Sequence, residues 1–229
     1  MKKLVFSTGS GISAESGIAT FRDAGGLWAN YNVMDVASAE GFARNPALIH
    51  EFYNARRREM FGVQPNDAHR MLVDLEKDFD VRVITQNVDN LHERAGASHV
   101  LHLHGELAYV RALDKPSLRW QLTPDNPDTS VDTVIEGHHV RPDIVFFQED
   151  VPNFEKAVDL AAEADIFVII GTSLVVYPAA ALFRFVRRGI PVFYIDPNPS
   201  TVPAGVTLIR KKAVEGMREL AEILRRDYL

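Results

Sequence analysis

Six short apolar runs punctuate the chain, at residues 4–8, 81–85, 100–103, 144–147, 166–170 and 192–195. None alternates with polar residues, and uninterrupted runs of this length suit strands covered on both faces of a parallel sheet. Between some of them apolar residues recur at helical spacing. In 67–77 they fall at Ala68, Met71, Leu72 and Leu75, and 154–164, 179–188 and 212–226 behave alike. Alternating strands and helices predict a doubly wound, Rossmann-like α/β parallel sheet, with ligands at the carboxyl ends of its strands.

Two stretches break this rhythm. Within the first, Asn45-Pro46 predicts a helix start, because Asn caps and Pro fits the first turn; the helix should run to about Met60. The second, 107–142, is rich in Pro, Asp, Thr and His and shows no period. The expected division is a sheet domain from 1–24, 66–106 and 143–229, with a small domain built by the insertions 25–65 and 107–142.

Composition narrows the classes. Hydrophobic residues make up 46% and charged residues 24%, as in an ordinary soluble protein. A net charge of -6 argues against a nucleic-acid backbone binder. Without cysteine, neither a disulfide framework nor a thiolate metal site can form. No apolar stretch approaches a membrane span of about 20 residues. Lys2-Lys3 precede an apolar run too short for a signal peptide, so it reads as a first strand. A cytoplasmic protein is expected.

The polar residues cluster where strands end. Gly9-Ser10-Gly11-Ile12-Ser13-Ala14 follows the first run and fits a dinucleotide fingerprint, with a helix expected next to present its N-terminus to a pyrophosphate. The acidic residue usual about 20 residues on is missing. In its place stands a loop with Phe21, Arg22, Asp23 and Trp28. Gln86, Asn87, Asp89 and Asn90 follow the second run; Asp89 could cap the next helix, but that leaves the others unexplained. His102 and His104 share one face by their spacing of two, and a strand-end histidine is a candidate general base. Gly171-Thr172-Ser173 and Asp196-Pro197-Asn198 end two more runs and could bind a ligand or simply turn the chain. Each signal has a bland explanation, but five at the ends of strands in one sheet do not share one.

Together these residues resemble the sirtuin family. Gly9 to Arg22 is similar to its Gly-Ala-Gly-x-Ser-Ala-Glu-Ser-Gly-Ile-x-Thr-Phe-Arg stretch, with Ser10 in place of Ala. Residues 85–96 (TQNVDNLHERAG) are similar to its second motif, His104-Gly105 to the catalytic His-Gly, and 171–174 to the third cofactor motif. The resemblance implies an NAD-dependent deacylase acting on acyl-lysine proteins or peptides. The acyl oxygen would attack the ribose carbon bearing nicotinamide. His104 would act as base on a ribose hydroxyl, with Asn87 and Asp89 positioning ribose and nicotinamide. Arg22 would lie near the phosphates and Gln86 near the ribose. The cofactor set would further include Gly9, Ser10, Gly11, Ser13, Ala14, Glu15, Thr20, Phe21, Trp28, Gly171, Thr172, Ser173, Asp196, Asn198 and Ala213. A loop at 22–35 would close over the site.

Tyr53 and Arg56 are similar to the bacterial class III pattern, in which such a pair recognises a malonyl- or succinyl-lysine carboxylate. At i and i+3 they share a helix face, while Arg57 and Arg58 read as a solvated basic face. Phe147 would line the acyl-lysine cleft. Three departures stand out, one of them a short helical insert. The family's four zinc cysteines are absent, with Ala112 at the first position, so no zinc is expected; the small module should rest on apolar residues such as Leu113, Leu118 and Trp120. The family's Trp-Phe-Gly-Glu reads Phe146-Phe147-Gln148-Glu149. The alternatives are ADP-ribosyl transfer or NAD hydrolysis at the same site, or a module that binds NAD without turnover. His104 argues against the last, because binding alone needs no base.

Overall fold

A computed structural model describes residues 1–20, 31–174, 177 and 179–229. Six parallel strands form the main sheet: β1 (Lys3–Thr8), β2 (Asp80–Thr85), β3 (Val100–His102), β8 (Ile166–Ile170), β9 (Val192–Ile195) and β10 (Thr207–Ile209). Their spatial order is β10-β9-β8-β1-β2-β3. The chain direction across the sheet reverses between β1 and β8, which pair in parallel from Leu4↔Ile166 to Thr8↔Ile170. That switch point opens a crevice at the carboxyl ends, where such sheets bind ligands.

Burial on both faces explains why these strands are apolar throughout. Leu4 and Phe6 of β1 join a core with Leu72 of α4 (Asp67–Asp74) and Met217, Leu220 and Leu224 of α7 (Ala213–Asp227). Val5 points the other way, into a core with Phe167, Tyr194 and Ala157 and Ala161 of α6 (Phe154–Ala162).

Four antiparallel strands form the second sheet, in the order β5-β4-β7-β6: β4 (Gly105–Ala112), β5 (Arg119–Gln121), β6 (Val134–Ile135) and β7 (His138–Ile144). Against it lie α1 (Val33–Val36), α2 (Ala39–Arg44) and α3 (Pro46–Gly62), through a core including Ile49, Phe52, Tyr53, Leu107, Ile144 and Phe146. The α3 start is as predicted: the Asn45 side chain accepts from the Leu48 N–H at 3.1 Å, and Pro46 opens the helix.

Several expectations are corrected. The run 144–147 is no parallel strand; it is the end of β7 and a bridge from Phe147 to Ser38. Residues 179–185 form a 3-10 helix, and β10 gave no readable run. The turn after β1 leads into two short 3-10 segments, Ser10–Ile12 and Ala14–Ser16, and not into an α-helix. In the small module Leu113 is 47% exposed, and the apolar cluster is Val110, Leu122 and Val140 with Trp120 against it. Arg57 is fully buried, so it belongs to no solvated face.

Candidate active site

The ends of β1 and β8 approach so closely that three glycines are required. The Gly9 N–H donates to the Ile170 carbonyl at 3.0 Å and the Gly11 N–H to the Gly171 carbonyl at 2.8 Å. A Cβ on Gly11 would lie 2.6 Å from the Gly171 Cα, and Gly171 has φ +65°. The fingerprint glycines thus serve first to pack two strand ends together. The loop is then tied to α4 by Asn66, whose Nδ2 donates to the Ile12 carbonyl at 2.8 Å and to Ser16 Oγ at 3.0 Å.

Beside this turn, buried polar side chains connect the first two strand ends. Ser13 Oγ donates to Asp89 Oδ2 at 3.0 Å and accepts from Asn87 Nδ2 at 3.2 Å. The Leu91 N–H reaches Asp89 Oδ1 at 3.1 Å, so Asp89 does support the next helix while also serving this network. Burial raises the Asp89 carboxyl's pKa, opposed by those two donors. Gln86 Nε2 reaches Thr172 Oγ1 at 3.2 Å, joining β2 to β8. Tyr194 OH donates to the Thr172 carbonyl at 2.7 Å, and Asp196 Oδ1 accepts from the Asn198 N–H at 2.8 Å.

His104 follows β3. Its Nδ1 lies 3.1 Å from the Gln86 carbonyl, an atom that can only accept. The proton therefore sits on Nδ1, and Nε2 is left as the free base of the ring. Burial lowers the His104 pKa, with the Gln86 bond opposing, so the neutral form persists below the ordinary histidine range. The next residue turns the chain into β4: Gly105 has φ +85°, and a Cβ there would sit 2.1 Å from the Asp143 carbonyl.

Of the other candidates, Ser10, Ala14, Thr20 and Ser173 border the same turns at partial or full exposure. The Glu15 carboxylate accepts from the Val214 N–H at 2.9 Å, and so caps α7, whose first residue is Ala213. Phe147 is 40% exposed, and its backbone bonds Ala37 and Ala39. Phe21, Arg22 and Trp28, with most of the segment 22–35 expected to close over the site, lie outside the described residues. Two further features flank the site, the first already marked by the sequence as a departure from the family pattern and the second, Arg141, without a sequence signal. Gln148 adopts φ +78°, the left-handed region that favours glycine, and its Oε1 accepts from the Glu40 N–H at 3.3 Å. The glycine of the family pattern is thus replaced at a place where backbone conformation matters as well as room. Arg141 lies 3.8 Å from the Phe146 ring centroid and donates to Glu149 at 2.6 Å, while Glu149 accepts from the Phe146 N–H at 2.8 Å.

A small-domain zinc does not fit these residues. Ala112 is buried in β4 opposite Val140, and among the described residues no group of three or more His, Cys, Asp or Glu could hold a metal ion. Charge pairs tie the second sheet: Arg119 to Glu106 at 2.7 Å and to Asp143 at 2.6 Å, and Arg111 to Asp143 at 3.7 Å. Tag-free protein should contain far less than one zinc per chain, and chelation should leave its unfolding curve unchanged. Stoichiometric zinc, lost together with folding on chelation, is the contrary result.

Buried amides and carboxylates at the carboxyl ends of a doubly wound parallel sheet, with the His104 imidazole beside them, form the crevice in which α/β proteins of this class bind their ligands. The Sir2 family matches residues 9–178, and the chain belongs to that family. It is 53% identical to an NAD-dependent protein deacylase of Bacteroides thetaiotaomicron, over 98% of both chains. A Sir2 homolog–NAD complex matches with a TM-score of 0.88 at 38% identity, covering 98% of this chain and 90% of that one. A Sir2 protein bound to acetylated peptide matches at 0.81 and 28%, covering 97% and 92%.

Proposed function

We propose that this NAD-dependent protein deacylase prefers malonyl- and succinyl-lysine to acetyl-lysine, with His104 as its general base. NAD, consumed as co-substrate, supplies a ribose carbon with nicotinamide as leaving group. The protein's part is to bind, orient and move a proton. Asn87, Asp89 and Ser13 form one hydrogen-bonded unit that orients the ribose. The Nε2 of His104, left without a proton when Nδ1–H donates to the Gln86 carbonyl, takes a hydroxyl proton, and that 3.1 Å hydrogen bond is the observation that supports the base role. Among the described residues no helix is long and apolar enough to cross a membrane; a cytoplasmic setting belongs to the same reading.

The acyl preference rests on α3. Its three consecutive arginines have three different surroundings. Arg57 is buried among backbone carbonyls, and Arg58 is an exposed partner of Asp128 at 2.5 Å. Arg56 lies partly buried, 5.6 Å from the Phe52 ring centroid and in the field of Tyr53, Glu59 and Asp89, which supports a place near the site. Burial lowers the Arg56 pKa, an effect that an acyl carboxylate would offset. Tyr53 stacks on Phe146 at 6.0 Å, and burial holds its phenol well above the ordinary range, so it stays a neutral donor. Charge-assisted bonds contribute about 1.5–3 kcal/mol each, so succinyl- over acetyl-peptide should show at least about tenfold in kcat/KM. Arg56→Met should remove that preference and spare acetyl turnover. Equal loss of both activities, or no preference in the wild type, would remove the class III assignment.

A further inference from the structure

His102-Leu103-His104 places two imidazoles two residues apart, and the chemistry above uses one. His102 is 7% exposed at the end of β3. Its Nδ1 lies 2.9 Å from the Asn87 carbonyl and its Nε2 lies 2.8 Å from Glu93 Oε1, on α5 (Leu91–Ala95). A carbonyl oxygen only accepts, and so does an ionised carboxylate. With Glu93 ionised, both ring nitrogens carry protons and His102 is an imidazolium paired with it. The two histidines thus hold consecutive carbonyls: His104 that of Gln86, His102 that of Asn87.

The peptide so held carries the ribose-orienting side chain. The Asn87 N–H donates to Thr85 Oγ1 at 3.0 Å, and its Nδ2 to Ser13 at 3.2 Å. His102 supplies the remaining backbone restraint, and it is fixed in turn by Asn153, whose Nδ2 donates to the His102 carbonyl at 2.9 Å. We propose that His102 is a positioning residue for deacylation, holding the Asn87 peptide through Nδ1–H, with Glu93 as the anion that keeps both its nitrogens protonated. This rests on the reading of the Asn87–His104 site given above.

Among the described residues the titratable groups that act on His102 include Glu93 and His92 from α5, Glu106 from β4, and Asp89 from the turn before α5. Burial opposes its charge, but Glu93, with help from Glu106, outweighs burial and holds His102 above the ordinary histidine range. His92 stays neutral, because burial lowers its pKa far below that range. His104 is shifted the opposite way to His102, which favours a neutral His104 beside a protonated His102. A raised His102 pKa gives an activity present at lower pH and lost as pH rises through that value. On losing its proton the ring keeps a single N–H, and must release either Asn87 or Glu93.

The test combines ring ¹⁵N NMR of wild-type protein with kcat–pH profiles of Glu93→Gln, His102→Ala and His102→Asn. At neutral pH both His102 ring nitrogens should be protonated. Glu93→Gln should move the alkaline limb of kcat down by about one pH unit, the effect of losing one close opposite charge. His102→Ala should lower kcat about tenfold or more, since small misplacements at a reacting centre are costly. His102→Asn, whose amide N–H can reach the Asn87 carbonyl, should recover part of that loss and show no alkaline limb. A singly protonated ring at neutral pH, an unmoved limb in Glu93→Gln, or wild-type kcat in His102→Ala would each overturn the proposal. The NMR result needs no activity, so failure here is distinguishable from failure of the deacylase reading. If His102→Ala does not fold, NMR and Glu93→Gln still decide.

Discussion

His104→Ala should lower deacylation about 10²–10⁴-fold, the usual cost of losing a general base, with little change in NAD affinity. The side chain makes one protein hydrogen bond among the described residues, to the Gln86 carbonyl, and the Asn87–Ser13–Asp89 unit does not pass through it. The neighbouring backbone also stays anchored, because the Gln86 N–H still donates to the Thr8 carbonyl at 2.9 Å. The wild-type acid limb has a definite sign. Burial lowers the His104 pKa, so the active neutral ring should persist below the ordinary histidine range and activity should fall only as pH drops through the lowered value. A kcat–pH profile and calorimetric NAD titration check both parts. Near-normal turnover in His104→Ala would remove it as the base.

Arg57→Ala should cause a loss of stability larger than that of an ordinary surface substitution. The Arg57 side chain is fully buried, and donates to the Leu107 carbonyl at 2.6 Å, the Pro127 carbonyl at 2.7 Å and Asn54 Oδ1 at 2.9 Å. Asn54 passes the contact on: Thr129 N–H donates to its Oδ1 at 3.1 Å, and its Nδ2 to the Thr129 carbonyl at 2.7 Å. One guanidinium therefore fastens α3 to β4 and to the segment 127–129. Burial lowers its pKa to about 10, which still leaves it charged at neutral pH. Removing it strands buried acceptors at about 1–3 kcal/mol each, so a total above about 3 kcal/mol is expected. Arg57→Lys should not restore it, because an ammonium lacks the planar fork that reaches separate carbonyls. Denaturant unfolding measures this, and a loss within about 0.5 kcal/mol, typical of a surface site, would contradict it.

The same residue shows where sequence reading stopped. Arg57 and Arg58 side by side on a helix look like a solvated face, because the carbonyls that bury Arg57 come from 50 and 70 residues further along the chain. The second sheet was hidden for a related reason. Arg111, Arg119 and Arg141 on its strands pair with Glu106 and Asp143 of the sheet and with Glu149 just beyond it, so charges occupy positions that an ordinary small sheet would make apolar. An apolar run also carries no direction, which is why 144–147 read as parallel when it ends an antiparallel strand. In contrast, β1, β2, β8 and β9 were legible because both faces are covered, and α3 because Asn45-Pro46 is a local signal. The strand-end polar clusters were legible as a set. What the sequence could not supply was their wiring, such as His104 to Gln86 and Ser13 to Asp89, separated by 18 and 76 residues.

Identifying the products by mass spectrometry, after incubating the protein with NAD and acetyl-, succinyl-, malonyl- or unmodified lysine peptide, tests the central claim most directly. Free lysine peptide, nicotinamide and O-acyl-ADP-ribose should appear in equal amounts, with the malonyl and succinyl peptides consumed first and the unmodified peptide leaving NAD intact. ADP-ribosylated peptide or protein, or free ADP-ribose formed while the acyl group stays on lysine, would contradict it.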